Sequence, residues 1–77
     1  MAAIKKYKFI TIQDSKHPHL PGRLYDIINN RSGDSIGEIG YYSPWKQYVF
    51  SSRPECVFNN SCLRDVLDFM ENHAGKE

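Results

Sequence analysis

The sequence is short of the features that usually announce an activity, and each shortage excludes something. There are only two cysteines, Cys56 and Cys62, in 77 residues. A secreted domain of this length more often carries four or more, so both are expected to be free thiols in a cytoplasmic protein. No apolar run approaches the ~20 residues that a membrane span needs. No apolar core of a signal peptide follows Met1–Lys6, so no membrane association is expected. Formal net charge is only +1, which gives no global attraction to nucleic acid or membrane. Internal repeats and low-complexity stretches are also missing.

Charge is nevertheless uneven along the chain. Over residues 1–23, Lys5, Lys6, Lys8, Lys16 and Arg23 against Asp14 leave +4, and over 55–77, Glu55, Asp65, Asp68, Glu71 and Glu77 against Arg64 and Lys76 leave −3. An N-terminal strand and a C-terminal helix with solvated faces account for this, and the other reading is a patch for an acidic partner.

What the chain does have is aromatic bulk: five Tyr, four Phe and one Trp. A single domain over 1–77 is expected, with 1–4 and 76–77 frayed, because this length has no room for a second core. A chain so short buries only roughly 60% of its unfolded surface, so it relies on large side chains that each remove on the order of 150–250 Å² from water.

Alternation of β-branched and aromatic residues predicts a first strand over Lys5–Gln13. The stretch 14–22, with Pro18, Pro21 and Gly22, ends it. Arg23–Asn29 reads as the second strand, with 29–34 supplying turn residues. Ser35–Tyr42 reads as the third, its apolar contacts shared among Leu24, Ile27, Ile28, Ile36 and Ile39. Gly37 and Gly40 lie inside that strand, where a Tyr or Trp ring covering the backbone is the ordinary explanation. Trp45–Ser51 reads as a fourth strand, and Cys56–Phe58 as a short edge segment.

Asn59, Asn60 and Ser61 are strong N-cap residues directly before a 3.6-residue apolar period. The predicted helix spans 61–74. Its stripe is Leu63, Val66, Leu67 and Met70, widened by Cys62 and Phe69. Asp65 is placed near the favourable positive end of the helix dipole, and Gly75 is a natural stop. Short connections demand antiparallel order. The expected fold is therefore α+β: an antiparallel meander of three to five strands packed by one C-terminal helix. The helix covers one face, and surplus aromatics are expected on the other.

Tyr41-Tyr42-Ser43-Pro44-Trp45-Lys46-Gln47-Tyr48-Val49-Phe50, then Val57-Phe58, then Cys62-Leu63-Arg64-Asp65-Val66-Leu67-Asp68-Phe69, carry a resemblance. They resemble a group of small uncharacterised bacterial proteins, often encoded in phages and mobile elements. The shared pattern is P-W-[KR]-Q-Y-x-F, an interval ending in V-F, and C-L-x-D-[IV]-x-D-F. It covers roughly residues 37–69. It implies a hairpin-to-helix unit and a phage or mobile-element origin, and it implies no activity. The interval 51–56 is more polar than the group's, and the first 36 residues lie outside the resemblance.

Candidate chemistry is sparse. His17 and His19 with Cys56 and Cys62 can be assembled on paper into a zinc site. Five residues separate the cysteines, however, wider than the usual C-x₂₋₄-C pair, and Cys62 starts a helix that would bury it. No metal or cofactor is therefore expected. Cys62 near a helix N-terminus is the one interesting thiol, yet no histidine is placed locally to activate it. Asp65 and Asp68 share a helix side and read as a solvated face. No enzyme and no small-molecule substrate are expected.

The cluster Tyr41, Tyr42, Trp45, Tyr48 and Phe50, with Lys46, Arg23 and Arg53, is the remaining feature. Its rings are either core or working surface. As a surface, Tyr41, Tyr42, Trp45, Lys46, Tyr48 and Arg53 would bind a protein partner, where Tyr, Trp and Arg dominate hot spots. An aromatic face or edge strand would also suit self-association. Stacking of single-stranded nucleic acid, with cations on phosphates, is the alternative. A structural piece of a phage assembly is a third reading.

Overall fold

The computed structural model describes residues 3–15 and 23–75; the loop around His17, Pro18 and His19 lies outside them. Five strands form an antiparallel meander in the order β1 (Ala3–Lys6), β2 (Ile10–Asp14), β3 (Leu24–Asn29), β4 (Ser35–Tyr42) and β5 (Gln47–Ser52), followed by helix α1 (Asn60–Asn72). The expected fold class holds.

The first predicted strand is in fact a hairpin. Tyr7, Lys8 and Phe9 turn the chain, with the Tyr7 N–H donating to the Ile10 carbonyl at 2.7 Å. Alternation continues through the turn, so period alone does not mark it. Asn30 fixes the turn from outside, its amide donating to the carbonyls of Tyr7 (2.9 Å) and Lys8 (3.3 Å). Its side-chain oxygen is paired with the Thr11 hydroxyl. β1 begins at Ala3, inside the segment expected to fray.

Register sorts the side chains. Ile10 and Ile12 of β2 lie on the same side as Tyr25 and Ile27 of β3, Ile39 of β4, and Tyr48 and Phe50 of β5. The helix packs on this face, with Val66 and Phe69 buried. Tyr25, which the pattern reading passed over, is fully buried at the centre. Its ring meets Phe69 edge-on at 4.9 Å, and its hydroxyl accepts from the Gly75 N–H at 2.8 Å. Leu24, Ile28 and Ile36 are only half-buried; Leu24 and Ile28 belong to the other face.

That other face is mostly polar rather than aromatic, contrary to expectation, with Tyr42 at its end as the ring it carries. It carries Gln13, Asp26, Glu38 and Ser51 in one row and Leu24, Gly40 and Val49 in another. The two glycines are covered without a Tyr or Trp. A Cβ at Gly37 would sit 2.9 Å from the Ser51 carbonyl oxygen and 3.1 Å from the Phe50 ring; at Gly40 it would meet Leu24 Cδ1 at 2.9 Å.

The helix starts one residue earlier than predicted and ends two earlier. Asn59 is the N-cap, its side chain accepting from the Cys62 N–H at 2.9 Å. The first turn therefore holds no acidic residue, and Asp65 stands beyond the dipole's reach. Gly75 adopts the left-handed φ of +74° expected of a stop. Cys56–Phe58 is irregular rather than a strand. Half of the predicted apolar stripe is out of the core: Leu63 and Leu67 are exposed, while Cys62, Val66 and Phe69 face the sheet.

Candidate functional site at the hairpin tip

β4 and β5 close on the Tyr42–Gln47 pair. Ser43 to Lys46 form the connection, with Trp45 N–H donating to the Tyr42 carbonyl and Lys46 N–H to the Ser43 carbonyl, each at 3.1 Å. Pro44 pre-sets the φ of a turn's second position. Lys46 takes a left-handed φ of +54°, a conformation that costs a non-glycine residue of order 1 kcal/mol. That bend removes Trp45 and Lys46 from the predicted strand and puts them on the tip. Trp45 is 65% exposed and meets Tyr42 edge-on, with ring centroids 5.2 Å apart and planes at 90°. Such a pair gains about 0.5–1.5 kcal/mol beyond area burial, so the indole is held in place while remaining open to solvent.

The six residues expected to share a surface divide into three groups. Tyr42, Trp45 and Lys46 are together at the tip. Tyr41 and Tyr48 are half-buried on the helix side, edge-on to each other at 5.4 Å. The Tyr48 hydroxyl accepts from the Arg23 N–H at 3.1 Å, and its ring packs beside Tyr25. Arg53 lies just past the opposite end of β5, roughly 17 Å or more along the strand. Its Nε donates to Ser35 Oγ at 3.0 Å, and its Nη2 stands 3.7 Å from Asp26 Oδ1 and 3.9 Å from Glu38 Oε2. Asp26 Oδ1 is buried without a hydrogen bond, so the guanidinium is its nearest compensation.

A second feature was missed by the sequence reading. Phe9, Ile36, Val57, Phe58 and Cys62 line a groove of about 550 Å³ at the end of the sheet away from the tip. Lys8 and Arg31 also border it, without a carboxylate. Val57 is 91% exposed. Its place in an irregular segment gives no period from which exposure could be read.

At the helix flank, Asp68 accepts from the Tyr7 hydroxyl at 2.7 Å and from the Asn72 amide at 2.8 Å. These donors, Tyr7 foremost, hold its carboxyl below the usual 3.8, with His73 and Lys5 adding smaller attractions. Burial, then the bond to Asp68, pushes the Tyr7 phenol above 10.0. Both cysteines are free and half-buried. Among the described residues no group of three or more His, Cys, Asp or Glu could hold a metal ion, and no helix is long and apolar enough to cross a membrane. No model of a known protein family, no curated protein and no solved structure matches the chain.

Proposed function

We propose that this chain is a non-enzymatic protein-binding module that anchors its partner on Trp45 and Tyr42. The carrying observation is an indole 65% exposed yet fixed edge-on against a second ring. A large rigid side chain held in place gives up little entropy on binding, which is why Trp and Tyr dominate hot spots. Half-buried Leu24 and Val49 lie beside Tyr42 on the open face and extend the apolar contact. Cytoplasmic location and phage or mobile-element origin accompany this reading, on the free cysteines and the resemblance of residues 37–69.

Single-stranded nucleic acid is the weaker reading. Lys46 is beside the rings, but Asp26 and Glu38 share the open face, and Arg53 is already engaged with them. Phosphates approaching along that face meet carboxylates.

A photo-crosslinking residue substituted for Tyr42 in cells identifies what meets the tip, and the recovered partner is then titrated. Trp45→Ala is expected to weaken binding about 30-fold, the 2 kcal/mol of a hot spot, with thermal unfolding unchanged. Adducts with nucleic acid alone, and an affinity falling steeply with salt, would replace the protein reading. Equal affinity of wild type and Trp45→Ala would remove the tip.

A further inference from the structure

The two edges of the sheet are built differently. β1 has four residues, includes Lys5 and Lys6, and has its register broken between Ala3 and Lys5. Short length, lysines and bulges are the devices that keep an edge from pairing. β5 has six residues, Gln47-Tyr48-Val49-Phe50-Ser51-Ser52, with no charge, no proline and no register shift. It has none of that protection.

The outward backbone groups of β5 can be assigned. Arg53 N–H donates to the Ile36 carbonyl at 3.0 Å. Antiparallel ladders alternate, so Ser51, Val49 and Gln47 direct their backbone groups toward β4, and Tyr48, Phe50 and Ser52 direct theirs away. Among the described residues, no hydrogen bond from outside the ladder reaches the backbone of residues 47–52. Three successive outward residues thus offer N–H and C=O groups to a further strand.

The helix supplies a second layer on the same side. Its residues form three lines at helical spacing. Cys62, Val66 and Phe69 face the sheet. Asp65, Asp68 and Asn72 lie on one flank, which Tyr7 ties to the β1 side through Asp68. Leu63, Leu67 and Met70 lie on the opposite flank, the β5 side, and the helix backbone comes nearest to β5. Leu67 is 54% exposed and Leu63 45%. The apolar stripe of the sequence is wider than the core requires, and the excess is all on the unprotected edge.

We propose that a second copy of this chain pairs with β5, antiparallel about a two-fold axis near Phe50, joining the two sheets into one. Phe50 opposes its mate and Tyr48 opposes Ser52, so all three outward residues are used, and the two leucine flanks lie on the same side of the joined sheet. Two identical strands fit here because neither carries charge: a two-fold brings like against like, which would be repulsive at the β1 edge with its lysines. Specific interfaces start at roughly 1,200 Å² in total. One strand edge falls short of that, and the adjoining flank extends it. The dimer leaves the Trp45 tip outside the paired residues, so it stands or falls separately from the partner reading.

Sedimentation velocity over a concentration series is expected to show a monomer–dimer equilibrium. In the dimer, the amides of Tyr48, Phe50 and Ser52 exchange slowly. Ser52→Pro deletes an N–H that the monomer's ladder does not use, a tolerated place for proline on an edge, and is expected to give a folded monomer. Gln47→Lys/Ser51→Lys changes only exposed side chains and should weaken dimerisation at least tenfold, as should Leu67→Glu. A wild type that stays monomeric at the highest concentration overturns the proposal. So does a dimer whose Tyr48, Phe50 and Ser52 amides exchange freely, or one that survives the double lysine substitution.

Discussion

The two faces of one sheet, built from the same five strands, have been put to opposite uses. The covered face gathers Ile10, Ile12, Tyr25, Ile27 and Ile39 under Val66 and Phe69, all at most 3% exposed. The open face, one residue out of step along each strand, carries Gln13, Asp26, Glu38 and Ser51, with Arg53 reaching over two of the carboxylates. A small domain can build one face as core, and it does so with rings. The lesson is that aromatic content in so short a chain goes first to packing, and the rings left exposed, Phe9, Tyr42 and Trp45, are at the turns and strand ends.

The largest expected effect breaks the covered face. Phe69→Ala removes the ring that Tyr25 packs against edge-on and leaves a cavity under the whole sheet, at a cost of about 3–5 kcal/mol. Domains of this kind have only about 5–15 kcal/mol in hand, so urea unfolding should begin at markedly lower concentration or the chain should fail to fold. Arg53→Ala on the open face is the counterpart: the Glu38 pair is long and half-exposed, while the buried Asp26 oxygen loses its nearest compensation, so the cost should be about 1–2 kcal/mol, below that of Phe69→Ala. Equal losses in the two variants would mean that the faces are not divided as described.

The glycines offer a finer contrast, since they lie on opposite faces of β4. At Gly37 a new Cβ meets the Ser51 backbone oxygen at 2.9 Å as well as the Phe50 and Phe58 rings. Backbone cannot swing aside, so Gly37→Ala should cost roughly 1–3 kcal/mol. At Gly40 the obstacle is the end of the half-buried Leu24 side chain, which can change rotamer toward solvent. Gly40→Ala should therefore cost clearly less in the same unfolding measurement, and a reversed order would place the rigid contacts on the wrong face.

Much of this division was legible in the residues. Ser35–Tyr42 was delimited by its turns, and the helix by agreement of cap, period and stop at Asn59, Phe69 and Gly75. The face of each ring was not, because a tyrosine such as Tyr25 or Tyr48 satisfies either environment and only register decides. The turn at Tyr7–Phe9 was hidden for another reason. It depends on Asn30, more than twenty residues away, which bonds to carbonyls that any sequence would present. The tip was lost to alternation as well: Trp45 and Lys46 continue the strand pattern, and only a left-handed backbone at Lys46 takes them out of it. The exposure of Leu63 and Leu67 is not legible either, because apolar periodicity reports a stripe but not what covers it.

The smallest effect concerns the rim of the covered face, where the helix's polar flank meets β1. Asp68 is held below 3.8 by the donors around it, chiefly Tyr7. A carboxyl lowered in the folded state contributes its stability above the unfolded value and loses it as pH falls through the folded one. Tyr7 is shifted upward from 10.0 by burial and then by Asp68, so its contribution is intact below that value and is lost as pH rises past it. Tyr7→Phe keeps the ring and deletes the hydrogen bond, and so acts on both limbs. In stability measured from about pH 5 down to about pH 2, wild type should lose more than the variant, and the two should converge at the acid end. Above pH 10.0 wild type should fall more steeply than Tyr7→Phe. Parallel acid limbs would mean that the rim owes its order to packing alone. A difference confined to the acid limb would mean that the phenol titrates as it does in the unfolded chain.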